Sequence, residues 1–444
     1  MQNTVYRNWA RTFSCSPFKY VEVSSEDDIL CCINEAREKG LKLKVVGYGH
    51  SPSDLTMTNG FLINMKKLSR LTDFSKLEDT EYAYATFQAG ATLSDILQSL
   101  APFGYTLEQM PTIVDNTLAG VTAVSSHGTG ISIPALSNFV VSFHFITAEG
   151  KRLACNSENH PDMYKAMQCH LGALGIITEI TVKCKRQFLL KHDIFPLPFN
   201  EVLEQLDHYL YSNKHFLFQW YPYTDYVAVW TYNECAKTAT LTSGKFSWIY
   251  EYLVGNFLVE FLYGIAALFG YVSFFEKILF WGFFGKRQSI TAQSKDILTR
   301  PILLKQYVTD WAIPLDKARL FLRNLRKYIL ESCPDQVHAP IEVRFAPSDD
   351  IWLSPCYKQD TCYVNIISYR PFGFDVKHSA FWNEYEALAC KCNGRPHWAK
   401  TYKLGKCDLQ KLYPKFVDFA NLRSQLDPLN LFVNRNLANI FGIE

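Results

Sequence analysis

The sequence predicts an α+β protein of two unlike parts. A glycine-punctuated domain is expected over residues 1–185, and an α+β cap with a mixed or antiparallel sheet over residues 186–420. Three observations predict this. Within the first 185 residues, three turns rich in Gly, Ser and Thr interrupt strand–helix units. From Leu189 the pattern changes, and Phe216 to Tyr221 and Tyr226 to Thr231 alternate as strands of a new sheet. A weakly charged aromatic insert, residues 246–285, then interrupts the second part.

The chain has 444 residues, 48% hydrophobic and 20% charged, enough to bury sizeable cores and without a disorder signature. Its net charge of +2 leaves no electrostatic footprint for nucleic acid, and none is expected as a partner. The 13 cysteines include the adjacent pair Cys31-Cys32, and Cys390 and Cys392 one residue apart. Neither spacing is that of a zinc site, and no metal is expected. No Asn-x-Ser/Thr sequon occurs, and Met1 to Ser16 carries Arg7 and Arg11 without an apolar core. Reduced thiols and a cytosol-facing chain follow; a luminal placement through an internal segment stays open.

In chain order, Ser24 or Ser25 caps a helix from Glu26, with Asp27 and Asp28 at its positive end. Ile29, Leu30, Ile33 and Ala36 share one face, and Gly40 stops it. Leu41, Leu43 and Val45 alternate with lysines into the first turn, Val45-Val46-Gly47-Tyr48-Gly49-His50-Ser51-Pro52-Ser53-Asp54. Alternate glycines let backbone turn tightly and approach a ligand, and successive N–H groups can form a nest for an anion. Alone, the same pattern is equally an ordinary strand-to-loop turn. Phe61 to Ile63 and Tyr82 to Ala89 read as strands, and a short helix from Ser94 turns Leu93, Ile96, Leu97 and Leu100 inward before Gly104.

The second turn, Thr117 to Gly130, holds too many small and hydroxyl side chains for an ordinary core strand. Such a run lets backbone lie flat against a large ligand. A strand from Phe139 to Thr147 and a turn at Glu149-Gly150 follow. A helix from His160-Pro161-Asp162 runs to the third turn, Leu171 to Ile177, and the strand Thr178 to Lys185. Three such turns point to a large phosphate-bearing cofactor. A Rossmann turn needs a third glycine opening a helix, where this chain runs into Pro52. A phosphate loop needs a Lys-Ser/Thr after its glycines, and none follows.

The string Val45 to Asp54, with Ala119-Gly120, Ser126-His127-Gly128-Thr129-Gly130 and Leu171 to Ile177, resembles the FAD domain of the vanillyl-alcohol-oxidase family. Within that family it is most similar to the sugar-1,4-lactone oxidases. The resemblance implies a two-subdomain FAD-binding domain, with His50 bonded covalently to the 8α-methyl of the flavin. It sets Val46, Gly47, Tyr48, Gly49, His50, Ser51 and Pro52 against the cofactor. From the second turn it adds Thr117, Gly120, Ser125, His127, Gly128, Thr129 and Gly130, and from the third Gly175, Ile176 and Ile177. One departure is visible: Ser125-Ser126 precedes His127 where relatives often carry Gly-Thr or Gly-Ala.

In the cap, Asn200 to Leu210 reads as a helix. The insert, Phe246 to Phe284, has only Glu251, Glu260, Glu276 and Lys277 charged. Its longest uncharged piece, Phe261 to Phe275, is shorter than the ~20 residues that span a bilayer. Lys245 and Lys286-Arg287 suit lipid headgroups. The expectation is monotopic attachment to a membrane surface, with a buried helix pair and a true span as the competing readings. The resemblance adds an endoplasmic reticulum or microsomal location.

Further on, Asp310 to Pro314 opens a helical region, Leu315 to Ser332. Pro340 to Phe345 is a strand that projects Glu342 and Arg344 to one face. On residues alone that pair is as readily a plain ion pair. Tyr363 to Arg370 is a second strand, and Gly394-Arg395-Pro396-His397-Trp398-Ala399-Lys400 sets one lysine after a restricted turn. By resemblance, Glu342, Arg344 and Lys400 face the flavin and bind a sugar lactone, with Thr117 near the substrate. Asp427-Pro428 and Leu431 to Asn434 resemble a closing segment, residues 421–444, that returns to the FAD domain. The implied reaction is oxidation of a lactone at C2, with O2 as acceptor and H2O2 and a 2-keto lactone as products. L-gulono-1,4-lactone, giving ascorbate, is favoured over the galactono and arabinono forms. Competing readings are a flavin dehydrogenase passing electrons to a quinone or cytochrome, and a non-catalytic flavin-containing membrane scaffold.

Overall fold

A computed structural model describes residues 5–236, 257–269, 272–300, 302, 304–333, 336–337 and 339–443; the insert's residues 246–256 and 270–271 lie outside these. The helix Glu26–Glu38 starts in a capping box, Ser25 accepting from Asp28 N and the Asp28 side chain from Ser25 N. Its buried Ile29, Cys32, Ile33 and Ala36 pack on a parallel sheet ordered Lys19–Glu22, Phe61–Asn64, Leu43–Val46. A second, antiparallel sheet runs Arg152–Asn156, Val140–Ile146, Ile176–Arg186, Tyr82–Gln88, Leu71–Lys76, with Tyr105–Thr106 also paired to Ile176–Arg186. In Tyr82–Gln88 the period-two rule is visible: Ala83, Ala85 and Phe87 are buried and their neighbours half-buried. The helix expected from His160 to the third turn is shorter, Pro161–Met167. Leu171 and Gly172, at φ 55° and 63°, turn the chain before Ile176.

The cap sheet is antiparallel throughout. Among the described residues its order is Gln288–Gln293, Leu189–Pro198, Tyr226–Glu234, His215–Tyr221, Ile341–Ala346, Thr361–Tyr369, Gln306–Pro314, Arg395–Pro396. One face buries Phe216, Phe218, Trp220, Val343, Phe345, Val364 and Trp311 in a core shared with the helices Phe199–Glu204, Leu206–Ser212, Ala318–Ser332 and Ser379–Lys391. Two expectations change here. The helix expected over Asn200 to Leu210 breaks at Gln205. Asp310 to Pro314, read as a helix start, is the end of a strand, because its partner pairs with it as far as Pro314 opposite Thr361. The helix proper buries Ala318, Phe321, Leu322, Leu325 and Ile329.

After Asp427 the chain runs back along the first half. Leu43 N donates to the Leu431 carbonyl (2.8 Å), and Asn434 Nδ2 donates to the carbonyls of Asp54, Leu55 and Met57. Lys44 Nζ donates to Gly172 O (3.0 Å) and Phe432 O (3.2 Å), joining the third turn to this segment. Burial pushes the Lys44 ammonium down to about 7, with Asp427 opposing.

The insert forms two helices, Phe257–Phe269 and Val272–Phe284, that are two-faced. Val272, Glu276, Leu279 and Phe280 are buried; the Phe280 ring lies 5.1 Å from Tyr221, and Glu276 accepts from Tyr223 N (2.9 Å). Phe257, Phe261, Phe274, Ile278, Trp281 and Phe283 are exposed. Among the described residues no helix is long and apolar enough to cross a membrane.

Candidate active site

A cavity of about 620 Å³ lies between the three turns and the polar face of the cap sheet. The first turn forms one wall. Its carbonyls are held from outside: Gly47 O accepts from Asn64 Nδ2, Gly49 O from Trp9 N and Ser51 O from Asn8 Nδ2. The N–H groups of Tyr48, Gly49, His50 and Ser51 meet no protein acceptor among the described residues, which leaves a row of donors at the cavity. Glycine is required twice. A Cβ on Gly47 would stand 2.7 Å from the Thr117 side chain; Gly49 has φ 69°, and its Cβ would stand 2.2 Å from Tyr6 Oη.

Thr117 caps the helix Leu118–Ala123 by accepting from Gly120 N (3.2 Å), which brings both residues to the wall beside Gly47. Gly175, Ile176 and Ile177 line the cavity too, and a Cβ on Gly175 would meet the Phe145 ring at 2.7 Å. Val46, Pro52 and His127 complete the predicted lining. Ser125, Gly128, Thr129 and Gly130 do not line it. Thr129 donates to Phe216 O, Gly130 N donates to Phe345 O (2.8 Å), and a Cβ on Gly128 would strike Gln109. Thr129 and Gly130 therefore bond and pack onto cap backbone, and Gly128 packs on the Gln109 side chain. Ser125, 1% exposed with φ 45°, is buried in the turn itself.

The opposite wall is a row that crosses four strands in register, Gln219, Glu342, Asn365 and Asp310, all lining the cavity. Residues directly opposite in a sheet share a face, so the row presents four polar groups side by side. Arg344, one pleat along, bonds Glu342 (2.8 Å) and Thr112 Oγ1 (2.8 Å). Burial would lower its pKa, but Glu342 outweighs that and the net shift is upward. Lys400 enters from the turn after Arg395–Pro396: His397 N donates to Asp310 O and Lys400 N to His397 O, each at 2.9 Å. Burial lowers the Lys400 pKa, and Asp310 opposes it. Three buried polar atoms of this wall have no protein partner among the described residues: Arg344 Nε, Asn365 Oδ1 and Asp310 Oδ1.

His50 lies where the two walls meet, its ring stacked on Trp9 at 5.8 Å. Burial depresses its pKa, with Asp115 opposing, so the imidazole is neutral at pH 7. Gln219, Asn365 and Asp310 were not among the residues expected from sequence. The available signal was polar side chains inside otherwise apolar strands, two of them, Gln219 and Asn365, only half-buried.

A nest of free amides, walls of small residues and a far wall with orphaned polar atoms fit a dinucleotide whose reactive ring faces a polar substrate. A family described as FAD binding domain matches residues 17–156. The fold and cavity thus define a two-domain FAD-linked oxidoreductase. The D-arabinono-1,4-lactone oxidase family matches residues 180–440. L-gulonolactone oxidases of Bos taurus and Mus musculus are 38% and 37% identical to this chain over 438 residues, covering 98% of each chain in both cases. Cholesterol oxidase from B. sterolicum shares the fold, with a TM-score of 0.79 at 15% identity over 98% of this chain and 96% of that one. The chain belongs to the sugar-1,4-lactone oxidase family of FAD-linked oxidoreductases.

Proposed function

We propose that this protein oxidises the C2 hydroxyl of an aldono-1,4-lactone, L-gulono-1,4-lactone in particular, with O2 as acceptor. The products are H2O2 and a 2-keto lactone that tautomerises to ascorbate. The observation that carries the reading is the meeting of Glu342, Arg344 and Lys400 in one cavity, opposite the amide-lined turn. FAD, when bound, supplies the hydride acceptor and returns electrons to O2. The protein does the rest. Arg344 and Lys400 place positive charge where the C2 oxygen becomes anionic as its proton leaves, the logic of an oxyanion hole. Glu342 fixes the guanidinium and accepts a sugar hydroxyl; Asn365 and Gln219 offer the row of donors and acceptors a polyol needs. Gly47, Gly49 and Gly175 let backbone close on the cofactor, and His50, neutral and at the wall, is the covalent attachment point.

Supplied with L-gulono-1,4-lactone, the purified protein should consume O2 and release peroxide in equal amounts. Turnover with a quinone or cytochrome and no peroxide would overturn the choice of acceptor, and no turnover with any aldonolactone would overturn the substrate.

The two-faced insert supports a second part of the proposal, monotopic attachment to the endoplasmic reticulum or microsomal membrane. Its outer aromatics are contiguous with Phe372, since Phe372 N donates to Glu260 on the first insert helix (2.8 Å), and Phe374 is also exposed. Val259 and Phe283 of the insert also line the cavity, which opens beside this patch. Replacing Phe261, Phe274, Ile278 and Trp281 by serine should cut co-flotation with phosphatidylcholine vesicles at least about tenfold, because each buried side chain contributes roughly 1.5–3 kcal/mol. Turnover in detergent should persist. Unchanged flotation would remove the insert from membrane binding.

A further inference from the structure

Asp310 is 1% exposed and carries no role in the chemistry above, yet the active-site cations gather round it. His127 places both ring nitrogens against acceptors: Nδ1 lies 2.9 Å from Gly128 O and Nε2 lies 3.3 Å from Asp310 Oδ2. The Asp310 carboxyl is held below its usual range; burial alone would raise it, but the bond to His127 and the positive charge of Lys400 help outweigh that. Its second oxygen, Oδ1, has no protein partner and Asp310 lines the cavity. Its backbone carbonyl accepts from His397 N, which fixes the turn that carries Lys400.

His127, Asp310 and His397 lie close enough together to suggest a metal cluster. The hydrogen bonds argue otherwise. His397 Nδ1 accepts from Ala399 N (3.1 Å), and burial pushes its imidazole down to about 3, so the neutral ring carries its proton on Nε2. His127 has both nitrogens committed. What remains is a carboxylate bonded to His127, on a cavity wall that Arg344 and Lys400 also line.

We propose that Asp310 is a positioning residue of the oxidation: its side chain bonds His127 of the cofactor turn, its carbonyl holds the turn that carries Lys400, and its negative charge on the shared cavity wall keeps Lys400 charged against the substrate. This rests on the lactone-oxidase reading for its substrate, though not for its electrostatics. The groups facing Lys400 are Asp310, Arg344 and Glu342, with His397 on its own turn; those facing Asp310 add His127. Arg344 and burial both push Lys400 toward neutrality, and the Asp310 carboxylate opposes them, with Glu342 adding to it. Removing the Asp310 charge must therefore move loss of the Lys400 proton to lower pH.

The test uses the flavin-loaded protein and two probes titrated against pH: a 2-deoxy-aldono-1,4-lactone, which has no C2 hydroxyl to oxidise, and sulfite, a small anion. Affinity for each should fall as Lys400 loses its proton. In Asp310→Asn that fall should move at least about one pH unit lower, and at a pH between the native and shifted limbs kcat/KM should drop about tenfold while well below both limbs it changes little. Asp310→Glu, which keeps the charge, should restore the native pH limb. A limb that stays put in Asp310→Asn overturns the proposal. Should Asp310→Asn not fold, Asp310→Ser is titrated the same way. Recovery of Asp310→Glu alone would make the charge a requirement of folding and also overturn the proposal. If the native protein binds sulfite but no lactone, the substrate reading fails, and the sulfite limb still decides the role of Asp310.

Discussion

Replacing Arg344 by methionine should lower kcat for lactone oxidation by about a hundred- to a thousandfold, the cost of removing one preorganised charge from a developing oxyanion. The guanidinium is fixed twice, by Glu342 and by Thr112 Oγ1, each at 2.8 Å, so it meets the substrate without reorganising. Its Nε is the buried orphan, the donor left over for a ligand. Methionine keeps much of the volume, but it strands the Glu342 carboxylate in a half-buried site. Breaking a buried pair from one side costs about 3–5 kcal/mol, so the single variant should also melt earlier. The double variant Arg344→Met with Glu342→Gln removes that penalty. It should regain most of the thermal stability and none of the activity. Recovery of both together would mean that the pair is only structural. Arg344→Lys should stay well below native activity, because an ammonium cannot bond Glu342, Thr112 and substrate as a planar fork does.

In His50→Ala the flavin should come free when the protein is precipitated with acid, whereas in the native protein the yellow colour should stay with the chain. The same variant should still bind FAD, since the free amides from Tyr48 to Ser51 and the glycine walls are untouched. His50 suits the role because burial keeps its imidazole neutral, leaving one ring nitrogen with the lone pair that a covalent bond to carbon requires. Free flavin in the supernatant of the native protein would remove the covalent claim and leave cofactor binding in place.

The parts of the site visible in sequence are those whose chemistry is local. Gly47, Gly49 and His50 sit within four residues, so their turn declares itself; Glu342 and Arg344 share a face by the period of one strand. The row from Gln219 to Asp310 could not be read in this way. It exists only through the register of four strands whose members are separated by up to 146 positions, and register is set by packing of the whole sheet. Asp310 to Pro314 is ambiguous in sequence because Trp-Ala-Ile-Pro suits a helix start as well as a strand end, and only pairing with Thr361–Tyr369 decides between them. The second turn shows the opposite error. The resemblance sets Ser125, Gly128, Thr129 and Gly130 against the cofactor, yet Gly128 and Gly130 are glycines because Gln109, Lys214 and His215 press on them. The edge strand Leu71–Lys76 went unnoticed for a simpler reason: with no residue buried, it carries no hydrophobic period.

Lys44 and Asn434 have a consequence for how the molecule is made. The segment after Asp427 bonds the strand Leu43–Val46 and the first turn, and Lys44 ties it to the third turn, so the flavin half is discontinuous in the chain, with the whole cap between its pieces. During synthesis the ribosome delivers the glycine turns first and the strap that braces them last. The cofactor half therefore stays open until the cap has emerged, and FAD is taken up as a late event, after the cap. Substitutions that slow folding of the cap would then lower flavin content without touching a single residue of the FAD site.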